Sequence, residues 1–205
     1  MQKGYKMILG LTGFSGAGKS TVAQIFKENG FYHLDCDLIV HERVYQDPTV
    51  LNALADEFGK EIIEDGALNR AVLRNYTMGD PKALQRLNHL VMPFILAAVN
   101  ADLLVHKDQH IILDAPLLFE SGLDQKCDRV LSVIADHKAA AERIIQRDHL
   151  LPNEAEKRLS SQHLAEYYID KSDYILQNNE DLNALHQETA NLIELILKDH
   201  SGEDQ

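Results

Sequence analysis

Gly13-Phe14-Ser15-Gly16-Ala17-Gly18-Lys19-Ser20, followed by Thr21, matches G-x-x-x-x-G-K-[ST], and its neighbours turn a short match into a fold assignment. Met7-Ile8-Leu9-Gly10-Leu11 precedes it with an apolar run of strand length. Val22-Ala23-Gln24-Ile25-Phe26-Lys27 follows with apolar residues at helical spacing and no glycine or proline. Strand, glycine-rich loop and helix together describe a cradle for phosphate. Glycines permit positive φ and close backbone approach, so successive N–H groups can face phosphate oxygens. A helix starting near Gly18 adds its unpaired N-terminal donors and the positive end of its dipole. Lys19 is then placed to bridge the β- and γ-phosphates of a nucleoside triphosphate, and Ser20 to give its hydroxyl to Mg²⁺. An ordinary glycine-rich turn with an exposed lysine is the competing explanation, and the complete motif in this setting disfavours it.

The chain of 205 residues is long enough to bury a sizeable interior, as one large domain or as one core with an inserted lobe. Twenty Lys+Arg against 32 Asp+Glu give a net charge of −12, which argues against a non-specific nucleic-acid binder or a membrane-surface protein. A site for an anionic nucleotide must therefore be locally basic on an acidic body. Cys36 and Cys127 have no metal or redox spacing and suggest a reducing compartment. No signal peptide is evident and no apolar run approaches a membrane span, so a cytoplasmic protein with no membrane partner is expected.

Asn29-Gly30 stops the first helix, and Phe31 to Leu34 reads as a second strand ending in Asp35-Cys36-Asp37. Leu38 to Tyr45 is helical, and Pro48 opens a helix through Phe58 that Gly59 closes. Residues 60–66 read as an acidic turn, and 68–106 as helical, punctuated by Gly79-Asp80-Pro81 and Pro93. Strands follow at His110–Asp114, Arg129–Ile134 and, more weakly, Tyr174–Leu176. Asp136 is placed to cap the helix running through Asp148, Pro152 starts another to about Gln162, and 164–171 continues helically. A final helix spans Asp181–Lys198, and 199–205 reads as a frayed polar tail. Alternating strands and helices imply a parallel sheet covered on both faces. The helical block between the second and third strands exceeds a single crossover and reads as an inserted lobe.

Asp35 and Asp37 lie two apart at the end of the second strand, a spacing that puts both carboxylates on one strand face. At the carboxyl end of such a strand they could accept the proton of an attacking hydroxyl or hold Mg²⁺ through water. Solvated aspartates capping the next helix are the alternative. Asp114 ends an apolar strand in the manner of a Walker B carboxylate, a second candidate for Mg²⁺, or else it is a turn residue before Pro116. Pro116-Leu117-Leu118-Phe119-Glu120 is too apolar for an exposed loop and either lines a pocket or packs on the core. Arg143 and Arg147 share a helix face, and Arg158 follows Pro152. Guanidinium groups suit phosphate, and on a hinged segment they would form a water-excluding lid. Singly each could be a solvated residue paired with Glu142, Asp148, Glu154 or Glu156. Among ten histidines only His41 falls near the proposed site.

Taken in order, these residues resemble the dephospho-CoA kinases, a P-loop nucleoside monophosphate kinase-like family. The similarity runs from about Met7 to Leu197 through Leu11-Thr12-Gly13, Asp35-x-Asp37, Gly66-x-Leu68-Asn69-Arg70 with Leu73-Arg74, and Pro116 to Glu120. It continues through Cys127-Asp128-Arg129-Val130-Leu131, Arg147-Asp148, Arg158-Leu159-x-x-Gln162, Asp173-Tyr174-Ile175 and Asn178. The resemblance implies an α/β P-loop NTPase three-layer fold with a five-stranded parallel sheet. Residues 1–37 and 109–205 would form the nucleotide-binding core, about 149–165 the lid, and 38–108 the helical acceptor-binding lobe. It implies transfer of the γ-phosphoryl group of ATP to the ribose 3′-hydroxyl of dephospho-CoA, with Mg²⁺, by a monomer. By position, Asp37 is the base or hydroxyl orienter, with Lys19 and Arg143 also catalytic. Gly13, Phe14, Ser15, Gly16, Ala17, Gly18, Lys19, Ser20, Thr21, Arg143 and Arg147 serve ATP. Asp35, Asp37, His41, Arg70 and Leu117 serve the acceptor, and Ser20, Asp35 and Asp114 the metal.

Two positions depart from the family pattern. Met92-Pro93-Phe94-Ile95-Leu96 stands where His-Pro and a later arginine are common, which removes two polar groups from the acceptor side. Phe14 replaces an early loop glycine at a position that need not have positive φ, so a local shift is expected. A P-loop kinase with another hydroxyl acceptor and a nucleotide-binding regulatory protein are the alternatives. The retained Lys19, Ser20 and Asp37 argue against the second, and the absence of N-K-x-D argues against a GTPase.

Overall fold

Three apolar runs rich in Ile, Leu and Val, at residues 8–12, 111–114 and 129–134, form the centre of the protein because they are buried on both faces, as parallel strands require. The computed structural model describes residues 6–202. Five strands, β1 (Ile8–Thr12), β2 (Tyr32–Asp35), β5 (Ile111–Asp114), β6 (Arg129–Ile134) and β7 (Tyr174–Gln177), make a parallel sheet in the order β2-β5-β1-β6-β7. The central strand β1 pairs with β5 on one side and β6 on the other, so Leu11 lies opposite both Asp114 and Leu131. Thus the phosphate-loop sequence leaves the sheet from its middle strand, and Asp114 ends the strand beside it.

The chain divides into two compact units, residues 1–34 with 106–205, and residues 35–105. In the first, α1 (Lys19–Glu28) packs against α9 (Leu182–Gly202), while α6 (His137–Asp148), α7 (Pro152–Ser160) and α8 (Ala165–Ile169) complete the helical cover. Leu9, Leu11, Ile112, Leu131 and Val133 of the sheet meet Val22, Ile25 and Phe26 of α1 and Ala140 and Ile144 of α6 in one buried cluster. Two aspartates close the strand starts: the Asp128 carboxylate accepts from Ile8 N–H at 2.7 Å, and Asp173 from Val130 N–H at 2.7 Å. The polar tail expected from Asp199 is instead helical to Gly202, because α9 continues; residues 203–205 lie outside the described range.

The second unit holds α2 (Cys36–Glu42), α3 (Pro48–Phe58), α4 (Arg70–Thr77) and α5 (Pro81–Val105). α3 has the bounds its sequence announces, with Pro48 opening the first turn and Gly59 ending it at φ 100°; the structure adds the cap, Asp47 Oδ1 accepting from Thr49 N–H at 2.7 Å. The acidic turn expected over 60–66 instead holds the first strand and the turn of a small antiparallel hairpin, β3 (Ile63–Glu64) and β4 (Ala67–Leu68). Asp65 and Gly66 both take positive φ, the demand of a tight hairpin turn, and two-residue strands are too short to show a period of two. Pro93 does not interrupt α5, which runs unbroken for 25 residues. By length and composition α5 could cross a membrane, contrary to the expectation that no segment approaches one. Here it packs on α2, α3 and α4, burying Ala83, Leu87, Val91 and Val99.

Candidate active site

The loop between β1 and α1 is shaped by close backbone contacts that only glycine allows. Gly13 takes φ 135°, and a Cβ there would lie 2.0 Å from the Val133 carbonyl oxygen of β6. Gly16 takes φ 79°, and a Cβ there would lie 2.5 Å from the carbonyl oxygen of Ala140 in α6. Lys19, in the first turn of α1, donates from Nζ to the carbonyl oxygen of Gly13 at 2.7 Å. Its ammonium group therefore crosses the mouth of the loop. Phe14 avoids the left-handed region, as expected, and its ring is buried against Tyr168 with centroids 6.1 Å apart.

Two side chains absent from any phosphate-loop motif stiffen this turn. Asn178, just past β7, is buried and donates from Nδ2 to the Ala17 carbonyl oxygen at 2.8 Å. Arg143 donates from Nη1 to the Asn178 carbonyl oxygen at 3.0 Å and from Nη2 to Asn178 Oδ1 at 3.2 Å, and reaches the Gly16 carbonyl oxygen at 3.4 Å. Arg143 thus stands at the loop as a brace, anchored by the same asparagine. Sequence inspection placed Asn178 only as part of the family resemblance; the 161 residues separating it from Ala17 hide this contact.

Ser20 sits exposed in the first turn of α1, and Asp114 is half-buried at the end of β5. His33 Nε2 lies 3.3 Å from Asp114 Oδ2, a neighbour that sequence inspection did not connect. Ser20 and Asp114 offer the hydroxyl and carboxylate oxygens that suit Mg²⁺. Among the described residues no three His, Cys, Asp or Glu side chains form a cage. A Mg²⁺ held mainly by substrate phosphates and water needs no such cage, so the donors present fit it.

The segment from Arg147 to Tyr168 touches the loop again. Arg147 donates to both carboxylate oxygens of Asp148 and comes within 3.5 Å of Ser15 Oγ. Arg158 of α7 donates to Asp148 Oδ2 at 2.6 Å, tying α6 to α7. Hydrogen bonding from Arg147, helped by the charges of both arginines, lowers the Asp148 carboxyl to about 2. Gln162 Oε1 accepts from Ser15 N–H at 2.8 Å. In the Pro116–Glu120 stretch, Leu118 is fully buried, Phe119 meets the Tyr167 ring edge-on at 5.8 Å, and Glu120 pairs with His163 at 3.1 Å. Leu117 is 60% exposed and turns away from that packing.

In the second unit, Asp35 and Asp37 are not two residues of one strand. β2 ends at Asp35, whose Oδ1 caps α2 by accepting from Leu38 N–H at 3.0 Å, and Asp37 is already in the first turn of that helix. Their shared strand face is thereby corrected; helix geometry separates them. His41, on the same helix, faces the Tyr45 ring at 5.9 Å, and its Nδ1 is buried with no hydrogen-bond partner among the described residues. Burial raises the Tyr45 hydroxyl pKa, and the nearby charge of Arg70 partly offsets this. Arg70 is exposed at the start of α4, and Met92 and Leu96 are half-buried on α5.

Comparison with known proteins adds to this geometry. The dephospho-CoA kinase family model matches residues 7–184. A dephospho-CoA kinase from Fusobacterium nucleatum is 35% identical over 191 residues, covering 93% of this chain and 98% of the relative. A crystal structure of a Thermus thermophilus protein superposes with a TM-score of 0.80 at 29% identity, covering 93% of this chain and 98% of that one. The dephospho-CoA kinase from Campylobacter jejuni gives a TM-score of 0.70 at 26% identity, covering 93% and 97%.

Proposed function

The chain belongs to the dephospho-CoA kinase family, and from that premise we propose how its own residues carry the transfer. The reaction is ATP-dependent phosphorylation of the ribose 3′-hydroxyl of dephospho-CoA, giving CoA and ADP. The observation that carries our residue assignment is the phosphate loop, with Lys19 Nζ held across its mouth beside Gly13. On this reading the loop N–H groups and the start of α1 bind the triphosphate, and Lys19 exchanges its carbonyl contact for the β- and γ-phosphates. Arg143 keeps the loop in shape from behind, and Arg147 adds positive charge at Ser15.

Asp37 accepts the proton as the 3′-oxygen attacks. The new bond joins that oxygen to the γ-phosphorus, and the bond from the γ-phosphorus to the β–γ bridging oxygen breaks, leaving ADP. Asp35, His41, Arg70 and Leu117 are assigned to the acceptor. Asp35 keeps one carboxylate oxygen on the α2 cap, so it orients the start of that helix as well. Ser20 and Asp114 would hold Mg²⁺, which when bound neutralises the charge building on the phosphate oxygens. We take the protein to act as a cytoplasmic monomer on small molecules. Its two cysteines, neither in a disulfide, suit a reducing compartment, and its net charge of −12 suits neither nucleic acid nor an anionic lipid surface.

ADP release measured with dephospho-CoA, adenosine, nucleoside monophosphates or water as acceptor tests the assignment. Turnover strictly dependent on dephospho-CoA is expected. Faster turnover with a different hydroxyl acceptor would overturn the acceptor half of the reading and leave the ATP half standing.

A further inference from the structure

Ser15 is the loop residue whose backbone donor is claimed from outside the loop. Its N–H points to the side-chain oxygen of Gln162 at 2.8 Å, across 147 residues of sequence. The identity of the donor settles which way the amide faces: an N–H requires the carbonyl oxygen of Gln162, so its NH₂ group is the outward end. That NH₂ takes no hydrogen-bond partner among the described residues. Gln162 is half-buried, follows the last turn of α7, and is held there by its backbone N–H on the Leu159 carbonyl oxygen at 3.0 Å.

The position of Ser15 gives this amide its meaning. Lys19 Nζ, the group that meets the β- and γ-phosphates, lies by the carbonyl oxygens of Gly13 at 2.7 Å and Phe14 at 3.4 Å. The donors at the start of α1, from Gly18 onward, belong to the inner end of the triphosphate. Ser15 adjoins residues 13 and 14, so it borders the outer end, where the γ-phosphate sits. Arg147 Nη2, 3.5 Å from Ser15 Oγ, and the buried Phe14–Tyr168 packing hold the same edge of the loop against the same segment.

We propose that Gln162 is a specificity-determining residue for the phosphoryl donor, its oxygen registered on Ser15 N–H and its NH₂ donating to a γ-phosphate oxygen. It thereby distinguishes a nucleoside triphosphate from the diphosphate product. The inference rests on the assignment of this loop to ATP. A neutral amide suits the place because it binds the phosphoryl group without retaining the diphosphate once that group has left.

The test is calorimetric binding of ADP and of a non-hydrolysable ATP analogue, each with Mg²⁺, to the full-length wild type and to Gln162→Leu and Gln162→Glu. A hydrogen bond to a charged group corresponds to about a 10- to 100-fold change in affinity. Gln162→Leu is expected to weaken the analogue by that factor and ADP by about twofold or less. Gln162→Glu keeps an acceptor for Ser15 N–H but replaces the NH₂ with a charged oxygen, which loses the donor and repels a γ-phosphate if one lies there, so it too must weaken the analogue far more than ADP. This second variant decides the matter if the first fails to fold. Equal weakening of both nucleotides would reduce Gln162 to a brace for the loop, and unchanged binding would remove it from the site; either result overturns the proposal. Failure of the wild type to bind either nucleotide would instead overturn the ATP assignment itself.

Discussion

At Gly13 the backbone and the space around it make the same demand. With φ at 135° and a virtual Cβ 2.0 Å from the Val133 carbonyl oxygen, Gly13→Ala must push β6 or unfold the turn. A loss of about 2 kcal/mol or more in stability is expected from such strain, with ATP affinity falling alongside, as thermal unfolding and calorimetry would register. Asp37→Ala belongs to chemistry. It should lower kcat by about 10²- to 10⁴-fold while leaving the ATP dissociation constant nearly unchanged; normal turnover would remove Asp37 from the base role. Cys127 is a third case. Burial first, then the charges of Asp124 and Asp128, push its thiol up to about 12, so almost no thiolate exists near neutral pH. Mass spectrometry after iodoacetamide treatment at pH 8 should show Cys127 modified only in unfolded protein.

Helices α6 and α7 are joined by one carboxylate. Asp148 ionises well below its ordinary value, held first by the Arg147 hydrogen bond and also by Arg158. A carboxyl whose folded pKa is depressed stabilises the fold above its unfolded pKa. That contribution is lost as pH falls through the folded value, here between about pH 4 and pH 2. All three side chains are partly exposed, so the link is worth only about 0.5–1 kcal/mol. Asp148→Asn should therefore unfold more easily than wild type at pH 7, and the difference should vanish near pH 2. Several elements were legible from the residues alone, α3 with its Pro48 start and Gly59 end being the clearest. β3 and β4 were not, because two-residue strands carry no periodicity. Asp35 misled for a related reason: strand and helix meet at that residue, and a spacing of two means opposite things on either side.

For the whole molecule, nucleotide binding is a stability term. At 100 times its dissociation constant, Mg²⁺–ATP adds about 2.7 kcal/mol, which in a chain of this size raises the unfolding midpoint by roughly 5–11 °C. Differential scanning fluorimetry should show that rise in wild type and lose it in Lys19→Ala.

Sequence alone determined the donor chemistry and the class of fold. G-x-x-x-x-G-K-S between a strand and a helix carries its own local geometry, and alternating apolar runs allow few sheets. It also carried the family, through short motifs kept in order along nearly the whole chain. What only the tertiary structure decided is how the loop is held. Asn178 and Arg143 brace it from behind, Gln162 takes the Ser15 N–H, and Tyr168 packs on Phe14. Each of these partners lies more than a hundred residues away from the loop residue it meets. No periodicity or spacing encodes such a contact, because it arises when strands distant in sequence become neighbours in one sheet and bring their following segments to the same edge.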